Sequence, residues 1–190
     1  GPNKDKNALF IIDKNVEGIE LIDTPKFSHT YAHHHSIYRF NNVSVAEKNI
    51  IGNEGMGMDF THSWFRHERL GIAARCCGAA ERLIDEVTEF AKERVSFGDK
   101  IANYQAIQFM LADSVNELAS TRLMLYEICK AHDAKQDVKI LHGKCSMIKL
   151  MASEMANRVA DRSVQIFGGR GYMRENVAER YYRELRVDRI

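Results

Sequence analysis

Residues 68–98 read ERLGIAARCCGAAERLIDEVTEFAKERVSFG, and their spacing decides the fold. Leu70, Ala73, Cys77, Ala80, Ile84, Val87 and Ala91 recur at alternating intervals of three and four, the rhythm of a helix that buries a continuous stripe. Ile72, Cys76, Ala79, Leu83 and Phe90 form a second row, so burial is expected on more than one side. No proline interrupts the stretch, and Gly98 reads as its C-terminal stop. Glu-Arg pairs stand at both ends, Glu68-Arg69 and Glu93-Arg94. Such neighbours are usually solvated, so by themselves they carry no function.

The pattern continues downstream. A second helix is expected from about Tyr104 to His132, with Asn103 as its cap and Ile107, Leu111, Leu118, Leu125 and Ile128 on one face. A third is expected from about Val138 to Phe167, capped by Asp137 and stopped by Gly168-Gly169. A fourth begins near Asn176 and runs through Tyr181 and Leu185. Short connections make such helices antiparallel neighbours. Upstream, Met58 to Arg66 reads as a lead-in of a turn or two.

Before that the character is β. Ala8–Ile12, Gly18–Ile22 and Ser36–Val45 are rich in branched and aromatic residues and are bounded by turn residues. Alone they would make a poor sheet with exposed edges. The expected fold is therefore mainly α: an antiparallel up-and-down four-helix bundle over residues 53–190, preceded by a few β-strands left from a β-domain in 7–52. Residues 1–6 open with Gly-Pro and read as a cloning remnant.

Composition excludes several classes. The 190 residues are 45% hydrophobic and 28% charged, with a net charge of +1. Neither nucleic acid nor an anionic membrane is called for by that balance. No apolar run approaches the roughly twenty residues of a membrane span. Cys76, Cys77, Cys129 and Cys145 all fall in helical apolar rows and read as small buried hydrophobes of a reducing compartment. His33-His34-His35 cannot all reach one ion from a strand and read as a polar loop or edge. His29, His62, His67, His132 and His142 have no partners at ligand spacing. Gly52, Gly55 and Gly57 mark the change from β to α, without the strand that a nucleotide fingerprint needs.

Two clusters stand out. In Glu93-Arg-Val-Ser-Phe-Gly98, the guanidinium of Arg94 either suits the negative helix end or holds a phosphate. Phe97 either stacks on an aromatic ring or plugs the end of the bundle. In Gln165-Ile-Phe-Gly-Gly-Arg-Gly-Tyr172, three glycines exceed what a helix stop needs. They fit either a binding loop or a tight helix–helix turn.

The motifs ERLGIAARCCGAAERL, AKERVSFGDKIANYQAIQ and QIFGGRGY, in that order and spacing, resemble the acyl-CoA dehydrogenase family of flavoproteins. FNNVSVAEKNIIGNEGMGM resembles the end of that family's middle β-domain, with Ala46 where the family commonly has proline. The resemblance implies a C-terminal piece of a longer enzyme that takes a proton from Cα and a hydride from Cβ of an acyl-CoA, with FAD as cofactor. It implies FAD contacts at Arg94, Ser96 and Phe97 reaching across a subunit interface, another at Gln105, and a cradle at Gln165, Gly168 and Gly169 for the FAD of a neighbouring subunit. It implies substrate-side roles for Arg69 and for Arg66 one turn before it.

The family places its catalytic glutamate mostly in a [YW]-E-G-T motif, expected just after Ile190. A minority places it at the position of Glu68, which makes Glu68 a candidate base. The implied partners are acyl-CoA, a second copy in a dimer or tetramer, and an acceptor such as an electron-transfer flavoprotein. The implied location is the bacterial cytoplasm or the mitochondrial matrix. Two alternatives remain: a relative that is an oxidase or is DNA-associated, and a bundle that only oligomerises.

Overall fold

The computed structural model describes residues 7–29 and 35–190. The expectations for residues 1–6 and for His33 and His34 lie outside the described residues. The chain divides into two compact units, residues 1–65 and 66–190.

In the first unit, β1 (Leu9–Phe10) pairs antiparallel with β4 (Ile50–Ile51), and β2 (Ile19–Asp23) pairs antiparallel with β3 (Ile37–Phe40). A register irregularity falls between Leu21 and Asp23. The β1–β4 pair was not anticipated, because two-residue strands carry no alternation to read. Phe10, Leu21, Ile37, Tyr38 and Phe40 remain exposed, so the ribbons bury little of their own apolar surface. The Asn7 carbonyl accepts hydrogen bonds from the amides of Gly55 and Gly57, which fixes the turn entering the first helix.

That helix, α1, runs without a break from Gly57 to Glu93. It differs from expectation at both ends. The supposed lead-in is helix, and the stop comes before Gly98. Val95–Ser96 (β5) and Asp99–Lys100 (β6) instead pair as a hairpin. Its two turn residues, Phe97 and Gly98, have φ of 52° and 88°. Positive φ at both positions is what a primed two-residue turn requires, so Gly98 serves the hairpin rather than a helix end.

α2 (Gln105–Asp133) begins after a 3-10 turn at Ile101–Asn103, and Tyr104, not Asn103, occupies its cap position. Asn103 donates instead to the Asp99 carboxylate (2.8 Å), closing the base of the hairpin. α3 (Val138–Phe167) starts as expected, with the Asp137 carboxylate accepting from the amides of Lys139 and Ile140. α4 (Val177–Glu184) is capped by Asn176 and is followed by a 3-10 turn at Val187–Arg189.

In the second unit the helices run up, down, up and down. Side-chain pairs set the directions. Glu81 of α1 meets Arg122 of α2, and Glu117 of α2 meets Arg158 and Arg162 of α3. Asn157 of α3 donates to the Leu185 carbonyl after α4. Both expected rows of α1 enter the core, where Ala73, Cys76, Ala80 and Leu83 are fully buried against Ile148, Met155 and Val159 of α3. Small residues on α1 let the helices approach closely.

All four cysteines are unbonded, with Cys76, Cys77 and Cys145 buried and Cys129 half-buried. Burial, and next the neighbouring Asp188 carboxylate, push the Cys76 thiol far up, so it stays protonated and donates to Asp188. Asp188 is 3% exposed and also accepts from Arg75 at 2.5 Å, which fastens the last turn to α1.

Glu117 yields a pH prediction. Burial opposes its charge, yet hydrogen bonds from Arg162 (2.8 Å) and Arg158 (2.9 Å) outweigh burial and hold its carboxyl below the ordinary value. A carboxyl depressed on folding stabilises the fold above its unfolded pKa and loses that contribution as pH falls through the folded one. Glu117→Gln should cost about 1–2 kcal/mol at neutral pH. The gap from the parent should narrow as pH falls through the acid range, as urea unfolding at neutral and acid pH would measure.

Candidate functional site

The candidate residues fall at the two ends of the bundle. At one end, the last turns of α1, the hairpin, the start of α2 and the last turn of α3 meet around Val87, Ala91, Ile101 and Ile166. The rings of Phe90 and Phe167 sit 4.8 Å apart there. This packing brings the Arg94–Gly98 segment and the Gln165–Tyr172 segment, separate in sequence, to the same end.

The hairpin is held firmly. The Arg94 amide donates to Phe90, and the Arg94 carbonyl accepts from Ile101 (2.8 Å). Tyr104 donates its hydroxyl to the Ser96 carbonyl at 2.7 Å. The side chains, by contrast, face outward. Phe97 is 99% exposed. It does not plug the bundle end, and it sits at a φ that non-glycine residues avoid at a cost of about 1–2 kcal/mol. An aromatic ring in strained backbone and full solvent has no packing explanation among the described residues. Arg94 is exposed and, among the described residues, its guanidinium has no partner. Gln105 and Gln165 are exposed beside them, and Ser96 is half-buried.

The glycine turn sorts by position. Gly168 closes α3 at φ 61° and ψ −139°, a conformation that essentially excludes side chains. Gly171 is buried, and a Cβ there would meet the Val164 carbonyl at 2.7 Å and the Phe167 Cβ at 2.8 Å. Gly169 has neither reason: its φ is not positive and a Cβ would meet nothing within 4 Å. Gly169 thus lies, sterically unconstrained, at the same end of the bundle as the exposed Arg94 and Phe97.

At the other end lie Arg66, Glu68 and Arg69, with Glu68 exposed and both arginines half-buried. The two ends are far apart. Arg69 and Arg94 are separated by about 37 Å along α1 at 1.5 Å per residue. Burial pushes the Cys145 thiol up, while Arg66 and Arg69 pull it back, so both guanidinium charges reach this part of α3.

Two features here escaped the sequence. Arg69 pairs with Nε2 of His142 on α3 at 2.9 Å, and His67 meets His132 of α2 edge-on at 5.0 Å. Partners seventy residues away leave no local spacing to read. A groove of about 580 Å³ at the α2–α3 turn, walled by Met124, Ile128, Ala131 and Met147, contains none of the candidate residues. Among the described residues no group of histidines, cysteines and carboxylates could hold a metal, and no helix is long and apolar enough to cross a membrane.

The family model for the C-terminal domain of acyl-CoA dehydrogenases matches residues 55–190, and the chain belongs to the acyl-CoA dehydrogenase family. It is 34% identical over 180 residues to the CarC subunit of the caffeyl-CoA reductase–Etf complex of Acetobacterium woodii, covering 95% of this chain and 47% of that protein. Butyryl-CoA dehydrogenase from Megasphaera elsdenii superposes with a TM-score of 0.88 at 27% identity, over 98% of this chain and 48% of that one. PigA, solved with FAD and proline, superposes with a TM-score of 0.90 at 28% identity, over 96% and 47%. The chain spans about half the length of the curated relatives it matches.

Proposed function

We propose that this chain is the bundle half of an FAD-dependent enzyme that dehydrogenates an acyl-CoA between Cα and Cβ. We assign residues 7–52 to the end of a middle β-domain and 53–190 to the C-terminal bundle domain. The observation that carries the reading is the shared bundle end, which holds Arg94 (without a partner among the described residues), a strained and solvent-held Phe97 and the Gly168-Gly169 turn. A guanidinium and a close-approach backbone suit a pyrophosphate, and an exposed ring suits a flat heterocycle. Bound there, FAD supplies the acceptor for the hydride leaving Cβ. Arg94, Ser96 and Phe97, together with Gln165, Gly168 and Gly169, would hold the FAD of a neighbouring subunit, and Gln105 would be a further flavin contact.

Arg66 and Arg69 would face the acyl-CoA. Removing the Cα proton needs a carboxylate in a dry pocket, and Glu68 is the candidate within this chain. The distance between the two ends of α1 supports separate duties. Each helix would then serve two active sites of a dimer or tetramer. An electron-transfer flavoprotein is the expected acceptor, since the CarC relative is a subunit of a reductase–Etf complex. Unbonded cysteines support a reducing location, the cytoplasm or mitochondrial matrix.

The PigA superposition favours a second reading, in which the same scaffold oxidises a substrate other than an acyl-CoA. One experiment separates them: turnover of acyl-CoA thioesters of graded length by the enzyme that contains this chain, followed by flavin bleaching. Bleaching by any of them supports the dehydrogenase. Bleaching by none, with FAD bound, favours the second reading. Expressed alone, the chain should bind FAD weakly, so flavin absorbance near one per chain would contradict the shared site. Glu68→Gln with FAD retained and nearly all turnover lost would make Glu68 the base.

A further inference from the structure

We propose that His142 is a positioning residue for Arg69 and that it works only in its neutral form. The inference rests on Arg69 facing the acyl-CoA. A guanidinium carries donors alone, so the 2.9 Å contact makes Nε2 of His142 the acceptor. The imidazole must then be the neutral tautomer with its proton on Nδ1. Each ring nitrogen thereby has a defined role, and the Arg69 fork is aimed by a partner that has no charge of its own.

The surroundings oppose a second proton. From α1, Arg66 and Arg69 place two permanent cations on this part of α3, as their common pull on Cys145 attests. His67 of α1 faces His132 of α2 edge-on, and His132 lies 3.7 Å from the Asp133 carboxylate. Burial raises the thiols of Cys129 on α2 and Cys145 on α3, so neither offers a negative charge. The carboxylates of Asp133 and of Glu68, beside Arg69 on α1, are both exposed. Protonating His142 would remove the acceptor for Arg69 and add a cation beside two guanidinium groups. Arg69 would swing from its set position, and substrate affinity would fall as pH drops through the histidine range.

Two measurements test this in the FAD-loaded enzyme that contains this chain. Nitrogen-15 spectra of the histidines at neutral pH should show His142 with its proton on Nδ1, and Arg69→Met should remove that preference. In kinetics, the parent's KM for acyl-CoA should rise about tenfold between pH 8 and pH 5.5, with kcat changing less. His142→Gln, which keeps an acceptor and cannot titrate, should keep KM flat over that range, while His142→Leu should raise KM at every pH. An Nε2–H tautomer, or the same KM profile in His142→Gln as in the parent, overturns the proposal. If Arg69→Met leaves KM unchanged while the tautomer is as stated, the substrate-side reading of Arg69 fails and the contact itself stands.

Discussion

With the proposed FAD site, replacing Arg94 by alanine should weaken FAD binding by the enzyme about ten- to a hundredfold, the expected loss of charged hydrogen bonds to a pyrophosphate worth about 1.5–3 kcal/mol. Folding should be unaffected, since the guanidinium is exposed and has no partner among the described residues. Flavin retained through dialysis reads the first effect, and the melting temperature reads the second. If Arg94 merely complemented the helix end, the melting temperature would fall by a degree or two and flavin content would not change.

The same variant tests the shared site. Arg69→Met should disable the subunit that carries it, and Arg94→Ala its neighbour. A dimer with one variant of each kind then has one site with both arginines intact and one with neither. Mixed and reassembled at an FAD concentration too low to fill Arg94→Ala sites, the two variants should recover about a quarter of the parent activity, because about half of randomly formed dimers are mixed and each has one good site. Recovery of nothing places both arginines at one site of one subunit, which the roughly 37 Å along α1 makes hard to arrange.

What could be read beforehand follows from the range of each signal. The helices were legible because Ala73, Cys77, Ala80, Ile84 and Val87 repeat a packing constraint over many turns. The hairpin was not. Its strands are two residues long, and its turn puts phenylalanine at a positive φ, where pattern rules look for asparagine or glycine. Gly98 therefore reads as a helix end, although α1 stops at Glu93. Asn103 was misplaced for a related reason: a side chain that can cap a helix can equally brace a loop, and Asp99 was close enough to take it. The Arg69–His142 pair depends on α1 and α3 running parallel side by side, a fact of packing that neither segment encodes alone.

The three glycines of the α3 turn separate scaffold from ligand contact by substitution. Gly171→Ala drives a Cβ into the Val164 carbonyl and Phe167, both parts of a packed helix end that cannot give way cheaply. It should destabilise the chain by about 1–3 kcal/mol, a melting temperature lower by several degrees. Gly168→Ala should cost about 1–3 kcal/mol as well, through its strained φ and ψ rather than through contact. Gly169→Ala meets open space and an ordinary φ, so its melting temperature should hold or rise slightly. If the turn cradles a cofactor, however, that added methyl occupies the space the cofactor needs. Gly169→Ala alone should then combine an undiminished melting temperature with FAD affinity reduced about tenfold or more. Thermal unfolding of the apoprotein and flavin titration give the two numbers independently. Unchanged flavin affinity in Gly169→Ala would leave this turn a helix–helix connection and confine the cofactor's contacts to the hairpin.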